Sequence, residues 1–325
     1  MTDPTRPIVE GEAVPVAGAG TGVTIGLPSA QNGPGPEGGG VQRVQSGWRL
    51  AVREYFDNRL AVVGLAVLLF FILFSFVGPI VYKTNQTLTN PLVTTMAPGH
   101  GHPLGTDANG FDELGRIMKG GQTALEVAFL ASIIATVIGT LYGAVAGLLG
   151  GLVDGIMMRF VDVLLSIPYI LVVLVLATKY SATVIEESLI LASFSWLVPA
   201  RLVRGEVLSL RVRDFVFACR VMGGGNGRIV YRHLIPNALS VVIVNITFLI
   251  ADSILALSYL GFLGFGLQYP ATSWGDMLGN AQQNVSSGYW WLVYPVGAAL
   301  VLVVLAVNLI GDALRDALDV RLRRR

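Results

Sequence analysis

The stretch DFVFACRVMGGGNGRIVYRHLIPN, residues 214–237, is a short polar island between two apolar segments long enough to be buried in lipid. It contains three arginines and one histidine. Its first part has the mixed polar and apolar character of a short surface helix. A glycine cluster follows, and Pro236 is typical of a helix start. This order of features predicts a docking loop at one face of a membrane.

The chain as a whole is too apolar for a water-soluble protein. Hydrophobic residues make up 53% of it and charged residues 13%, whereas a soluble domain carries about 25% charged residues. The first 42 residues differ, since they contain ten glycines, six prolines and no long apolar run. We therefore predict an all-α polytopic membrane protein with a disordered cytoplasmic tail over residues 1–45. The alternative for this tail is a partner-binding segment.

Six apolar segments have about the 20 residues that a helix needs to cross the hydrocarbon layer. The six predicted spans are Leu60–Tyr82, Val127–Leu149, Ile156–Thr178, Val184–Val203, Ala238–Leu260 and Trp291–Gly311. In the third span, Arg159 and Asp162 lie three residues apart, and we predict that they pair with each other. The chain then divides into a first helix with an outer loop, residues 46–110, and a core of five helices, residues 111–325.

Positive charge is distributed unequally between the two sides of these spans. The side that holds both chain ends and the polar loop carries seventeen arginines, and the opposite side carries four lysines or arginines. Loops rich in Lys and Arg stay in the cytoplasm. We therefore predict that both termini and the loop over about residues 204–237 are cytoplasmic.

The second predicted span has small residues at every fourth position, which places them on one ridge of a helix. These residues are Ala131, Ala135, Gly139, Gly143, Gly147 and Gly151. Small side chains let two helix backbones approach closely in lipid. The ridge therefore indicates either ordinary helix packing inside the subunit or a surface that slides against or contacts a partner subunit.

The sequence lacks the motifs of an ATPase or of another enzyme. None of its three lysines follows a glycine, so the phosphate-binding G-x-x-x-x-G-K-[ST] motif is absent. Cys219 is the only cysteine, which excludes an intramolecular disulfide and a cysteine-rich metal site. His100 and His102 are predicted to lie in an outer loop without a metal. We expect a non-catalytic chain that binds no metal and no nucleic acid.

The polar loop resembles the coupling motif of the permeases of bacterial ATP-binding-cassette importers. In that motif an acidic and aromatic pair precedes Glu-Ala-Ala, a glycine and Leu-Pro. The counterparts in this sequence are Asp214-Phe215, Phe217-Ala218-Cys219, Gly223 and Ile235-Pro236. Phe217 stands where the family usually has Glu, and Cys219 where it has Ala.

Further segments are similar to the dipeptide/oligopeptide/nickel permease family, and the short outer loop resembles its second, C-type member. These segments are NRLAVVGLAVL (58–68), HPLGTDANGFDELGRIMKGG (102–121), FLGFGLQYPATSWGDML (262–278) and NLIGDALRDALDVRLR (308–323). In the second of them, Phe111 replaces an Arg and Gly115 a Ser of the family pattern. Together the resemblance covers the chain from about residue 46 to its end.

The resemblance implies the type I importer fold in the bacterial inner membrane. Two different permeases, this C-type chain and a B-type partner, would form the pathway. Two partner ATPase domains would bind ATP and Mg²⁺, so this chain would need no cofactor, and an extracytoplasmic binding protein would deliver the substrate. Phe215 and Phe217 are expected to be apolar docking anchors, and Arg220 to reach a partner carboxylate. The whole implied docking set is Asp214, Phe215, Phe217, Ala218, Cys219, Arg220, Gly223 and Pro236.

Three polar residues inside the predicted spans, Asn245, Asp252 and Asn308, are candidates for lining the pathway. Asp252 would either meet the amino group of a peptide or hydrogen-bond a neighbouring helix, and helix packing is the preferred interpretation for it and for Asn308. Peptides are the expected cargo, with nickel chelates, haem or oligosaccharides as alternatives. The competing classes are a transporter or channel that works without ATP and a membrane assembly protein.

Overall fold

The computed structural model describes Val52, residues 55–180 and residues 183–323, with side chains described as far as Leu318. The predicted tail over residues 1–45 lies outside the described residues. Secondary structure in the described part is helical. The main helices are α1 (Arg59–Phe76), α2 (Glu113–Leu149), α3 (Gly151–Ser166), α4 (Tyr169–Tyr180), α5 (Val184–Ser195), α6 (Leu197–Leu210), α7 (Asp214–Val221), α8 (Ile235–Phe262), α9 (Trp274–Ala281) and α10 (Tyr294–Arg323).

Four helices of the described chain are long and apolar enough to cross a membrane. They are α1 with its extension to Val81, α2, α8 with the helical turns before it, and α10. A fifth span results if α3 and α4, which meet at 78°, count as one. The predicted span Val184–Val203 corresponds to α5 and the first half of α6, which are separated at Trp196. The all-α polytopic architecture is confirmed, and six is an approximate count, since two predicted spans are pairs of shorter helices.

The third predicted span is broken, so the prediction of one continuous helix over Ile156–Thr178 is wrong. Helix α3 ends at Ser166, and Ile167 has an extended backbone with φ −84° and ψ 129°. Pro168 follows it, has no N–H to donate, and disfavours the helical conformation in the residue before it. The uninterrupted apolar composition around this proline concealed the break.

Two ion pairs connect α3 to α6. Asp162 pairs with Arg201, so the predicted pairing of Asp162 with Arg159 is wrong. Nearer the start of α3, Arg204 binds Asp154 in a bidentate manner, with Nε–Oδ1 and Nη2–Oδ2 distances of 2.7 and 2.6 Å. These pairs fix the position of α6 relative to α3.

Helix α2 packs against α1, α5, α6 and α8. At Gly139, Gly143 and Gly147, the backbone of α2 lies directly against α6. A Cβ on Gly143 would lie 2.3 Å from the Ala200 carbonyl oxygen, and a Cβ on Gly147 would lie 2.8 Å from Val207 Cγ1. The structure therefore places these three glycines against a helix of the same subunit.

Gly151 does not continue this glycine face, in contrast to the prediction. Helix α2 ends at Leu149. Gly150 and Gly151 both have positive φ, +65° and +56°, and a Cβ on Gly151 would meet nothing within 4 Å. The chain can turn at this pair because glycine readily adopts positive φ values, which L-residues rarely do. The repeat of four in the sequence therefore runs one turn beyond the helix.

The segment between α8 and α10 packs on the first turns of α2. Trp274 is fully buried, and its Nε1–H donates to the Ile117 carbonyl oxygen at 3.0 Å. Helix α9 begins with a capping box between Ser273 and Asp276. Burial raises the pKa of Asp276, although its hydrogen bonds with Ser273 act in the opposite direction. These contacts hold the end of α8 close to α2.

The loop before α2 is organised around one buried carboxylate. His102 Nδ1 lies 2.9 Å from Asp112 Oδ2, and the Tyr82 hydroxyl donates to the same oxygen at 3.0 Å. Burial, together with this hydrogen bond to a carboxylate, raises the pKa of Tyr82 to about 12. The other oxygen of Asp112 accepts a hydrogen bond from the Gly115 N–H and so caps α2. His102 therefore has a structural partner in this loop.

Candidate functional site

The predicted docking segment contains a regular helix, α7. Asp214 lies in its first turn and Arg220 in its last, so each charge complements the helix dipole. Both side chains are exposed. The helix therefore begins and ends where the local sequence favours it, at the membrane-flanking part of the chain.

A Schellman motif ends α7. The Gly224 N–H donates to the Cys219 carbonyl oxygen at 2.8 Å, and the Gly223 N–H donates to the Arg220 carbonyl oxygen at 3.0 Å. Gly223 has a φ of +79°, and a Cβ on Gly224 would lie 2.4 Å from Cys219 Sγ. The glycine cluster is thus a defined helix stop, and the chain turns sharply after it.

One face of α7 is anchored to the subunit. Val216 and Cys219 are buried in a cluster that also receives residues of α2, α6, the helical turns before α8, and α8 itself, namely Ala144, Leu148, Val203, Val207, Leu210, Ile229, Val230, Leu234 and Ala238. Phe215 is half-buried against this cluster, and its ring lies 6.1 Å from that of His233. Phe215 is therefore directed partly into the subunit, and its role as a docking anchor beside Phe217 stays a prediction.

The opposite face of α7 is exposed and carries large apolar side chains next to Asp214. Phe217 is 71% exposed, Val221 is 72% exposed and Met222 is 79% exposed. Phe217 and Val221 are four residues apart and share one face of the helix. We call these three residues the α7 patch. Ala218 beside them is also exposed. Sequence reasoning found Phe217 and overlooked Val221 and Met222, although their spacing from it was visible.

The chain after α7 leads directly into a membrane-spanning helix. Helical turns at Asn226–Ile229 and a π-helical turn at Val230–Leu234 join α8 without a break. Pro236 is exposed in the first turn of α8, directly after the π-helical turn. On the other side, the Arg211 guanidinium donates to the Gly147 carbonyl oxygen of α2 at 3.0 Å. Helix α7 is therefore held between α6 and α8.

A groove of about 850 Å³ opens between α8 and the broken helices. The bend at Pro168 forms part of its wall, together with the junction of α5 and α6. Most of its lining is apolar. Its polar lining residues are Tyr169, Ser195, Asn245, Asp252 and Tyr259.

The three polar residues predicted for the pathway lie in different surroundings. Asn245 and Asp252 both line the groove, with Asn245 half-buried and Asp252 exposed. Asn308 is half-buried in α10 and is not among the described residues that line it. Sequence reasoning overlooked Tyr169, which the break at Pro168 turns toward the groove. The structure thus brings together two of the three predicted residues.

Two family models match separate parts of the chain. Residues 139–324 match the family described as binding-protein-dependent transport system inner membrane component. Residues 46–98 match the N-terminal transmembrane domain of oligopeptide transport permease C. These ranges include α7, the groove and α1, so the resemblance seen in short motifs extends over most of the chain.

Similar proteins come from several bacteria. The dipeptide transport system permease protein DppC of Alkalihalophilus pseudofirmus is 36% identical over 292 residues, 90% of this chain and 95% of the relative. The oligopeptide transport system permease protein OppC of Salmonella typhimurium is 42% identical, with 84% and 90% of the two chains covered. A putative peptide permease protein of Brucella suis is 38% identical, with 83% and 90% covered. The chain therefore belongs to the binding-protein-dependent transport system inner membrane component family, as a C-type permease.

Proposed function

We propose that this chain is the transmembrane subunit of an ATP-driven peptide importer and that α7 docks on a partner ATPase subunit. The proposal rests on the exposed apolar residues of the α7 patch. A helix whose inner face is anchored by Val216 and Cys219 has no need of an apolar outer face unless another molecule covers it. Arg220, exposed beside the patch, offers a charged group to the same partner.

Peptides are the cargo that the relatives favour. The similar proteins described above carry the names of dipeptide, oligopeptide or peptide permeases. This favours peptides over nickel chelates, haem and oligosaccharides. A transporter that works without ATP would give no role to an exposed apolar helix outside the membrane-spanning helices.

The proposal includes a set of partners and an orientation. A second, B-type permease completes the pathway, two ATPase domains bind ATP and Mg²⁺, and an extracytoplasmic binding protein delivers the peptide. The excess of arginine flanking the spans supports cytoplasmic termini and a cytoplasmic α7 in the inner membrane. This chain supplies the pathway and no catalytic group or cofactor.

The α7 patch can be tested by Phe217→Asp. The substitution places a carboxylate where the proposed partner surface is apolar, and desolvating it costs several kcal/mol. We expect at least a tenfold loss of co-purified ATPase subunit and of peptide-stimulated ATP hydrolysis. Abundance of the chain in the membrane should stay normal, because the Phe217 side chain is exposed in the subunit.

Phe217→Leu is the matched control. It preserves an apolar contact at the same position and should retain most of the ATPase binding and hydrolysis. Normal assembly, stimulated hydrolysis and uptake in the Asp variant would reject docking through this patch. Loss of the chain from the membrane in both variants would show that Phe217 has a folding role instead.

A further inference from the structure

We infer that Asp252 binds the positively charged amino terminus of a peptide during its passage along the groove. The inference rests on the proposed import of peptides. It assigns the binding of a charged group to Asp252, for which the sequence alone favoured a role in helix packing.

The position of Asp252 excludes contact with lipid. Helix α8 has 28 residues, which is about 42 Å of helix, and Asp252 is ten residues before its end, about 15 Å along the axis. That depth lies within a hydrocarbon layer about 30 Å thick. An exposed carboxylate there must face water or protein. The groove side of α8 is therefore covered by the pathway or by another subunit.

The residues on either side of Asp252 make the contacts that pack α8 inside the subunit. Ala251 is 2% exposed and Ser253 is 3% exposed. The Ser253 hydroxyl lies 3.4 Å from the Ser132 hydroxyl of α2, so it supplies the polar contact between these two helices. Asp252 projects from a different side of α8 into the groove. The Asp252 carboxylate therefore does not make the helix-packing contact that the sequence favoured.

The groove holds no positive charge to balance Asp252. Its lining, all within the described chain, contains no Lys, Arg or His. A cation that pairs with Asp252 in the groove would therefore come from outside this subunit. Peptides imported with a free amino terminus bring an ammonium group, which is a strong partner for a carboxylate.

The size and lining of the groove fit a short peptide. About 850 Å³ lies in the upper part of the 300–1,000 Å³ range of small-molecule sites. Tyr169 and Asn245 add a phenol and an amide to the groove lining as neutral hydrogen-bonding groups. The remaining wall is mostly apolar and can contact varied side chains without selecting among them. Of the features that such peptides share, the ammonium group is the one whose charge is complementary to Asp252.

The experiment uses the complete importer in proteoliposomes, with its binding protein and radiolabelled tri-alanine as the probe. Uptake, ATP hydrolysis and co-purification of the subunits are measured for wild type, Asp252→Asn and Asp252→Glu. Glu126→Gln is the matched control, because it removes a carboxylate from half-buried Glu126 of α2, outside the groove. A wild-type complex that is assembled and hydrolyses ATP but imports no tri-alanine would reject peptide import itself.

With import established in wild type, Asp252→Asn should lower tri-alanine uptake about tenfold, the effect of a lost hydrogen bond to a charged group. Assembly and ATP hydrolysis should be unchanged, Asp252→Glu should restore most of the uptake, and Glu126→Gln should behave as wild type. Wild-type uptake by the Asn variant would overturn the inference. Loss of the second permease from the Asn variant would also overturn it, by showing that Asp252 pairs with a cation of that subunit.

Discussion

The glycine face between α2 and α6 makes a quantitative prediction for Gly143→Ala. A Cβ at this position would lie 2.3 Å from the Ala200 carbonyl oxygen and 2.9 Å from the Arg204 nitrogen. Both are backbone atoms, so no side-chain rotation can make room for it. The helices must separate, or α6 must shift along α2.

The size of the effect follows from comparison with a glycine that has open space around it. Gly205 lies in α6, is exposed, and an added Cβ there would meet nothing within 4 Å. Gly205→Ala should therefore stabilise the helix by about 0.5–1 kcal/mol through lower chain entropy. Gly143→Ala has the same entropic gain but also overpacks a tight interface, which costs about 1–3 kcal/mol. We expect Gly143→Ala to be the less stable of the two by roughly 1–3 kcal/mol.

The free energy of unfolding is measured by denaturant titration of the purified subunit in detergent, for wild type and both variants. The two substitutions add the same methyl group to helices of the same subunit, so their difference isolates the contact with α6. Equal unfolding free energies for Gly143→Ala and Gly205→Ala would refute the close backbone contact between α2 and α6.

Two further predictions concern the end of α7 and the orientation of the chain. Gly223→Ala should increase proteolytic cleavage after α7 severalfold, because a φ of +79° costs an L-residue about 1 kcal/mol. Gly225→Ala, where φ is −71°, should leave cleavage unchanged, and equal cleavage in the two variants would reject the Schellman stop. With the native cysteine replaced, Gly225→Cys should react with an impermeant thiol reagent from the cytoplasmic side and Gln283→Cys from the outside. The reverse pattern would invert the predicted topology.

Much of the fold follows from local sequence signals. The apolar runs predict where helices cross the membrane, and the polar island predicts the position of α7. The sequence signals fail where a single residue outweighs a run of apolar neighbours. Pro168 breaks a segment whose hydropathy is uniform, and the positive φ of Gly150 ends the glycine repeat before Gly151. Composition averaged over a window conceals both events.

The face of α7 could have been predicted better than it was. Phe215 and Phe217 are two residues apart, which separates them by about 200° around a helix. They therefore cannot both point outward from an anchored helix of eight residues.

The environment of Asp252 is a different case. Apolar residues lie on every side of helix α8, so its sequence does not tell which face meets α2 and which meets the groove.

Two of the helices that hold α7, α6 and α8, also line the groove. Helix α6 contributes Leu197 to the groove and Leu210 to the cluster around α7. Helix α8 reaches from Ile235 beside α7 to Asp252 in the groove, 17 residues or about 26 Å of unbroken helix. In the proposed importer, a movement of the ATPase against α7 would therefore displace α6 and α8, which both line the groove, as rigid bodies. A change at the α7 patch is then expected to alter transport although it leaves every groove residue in place.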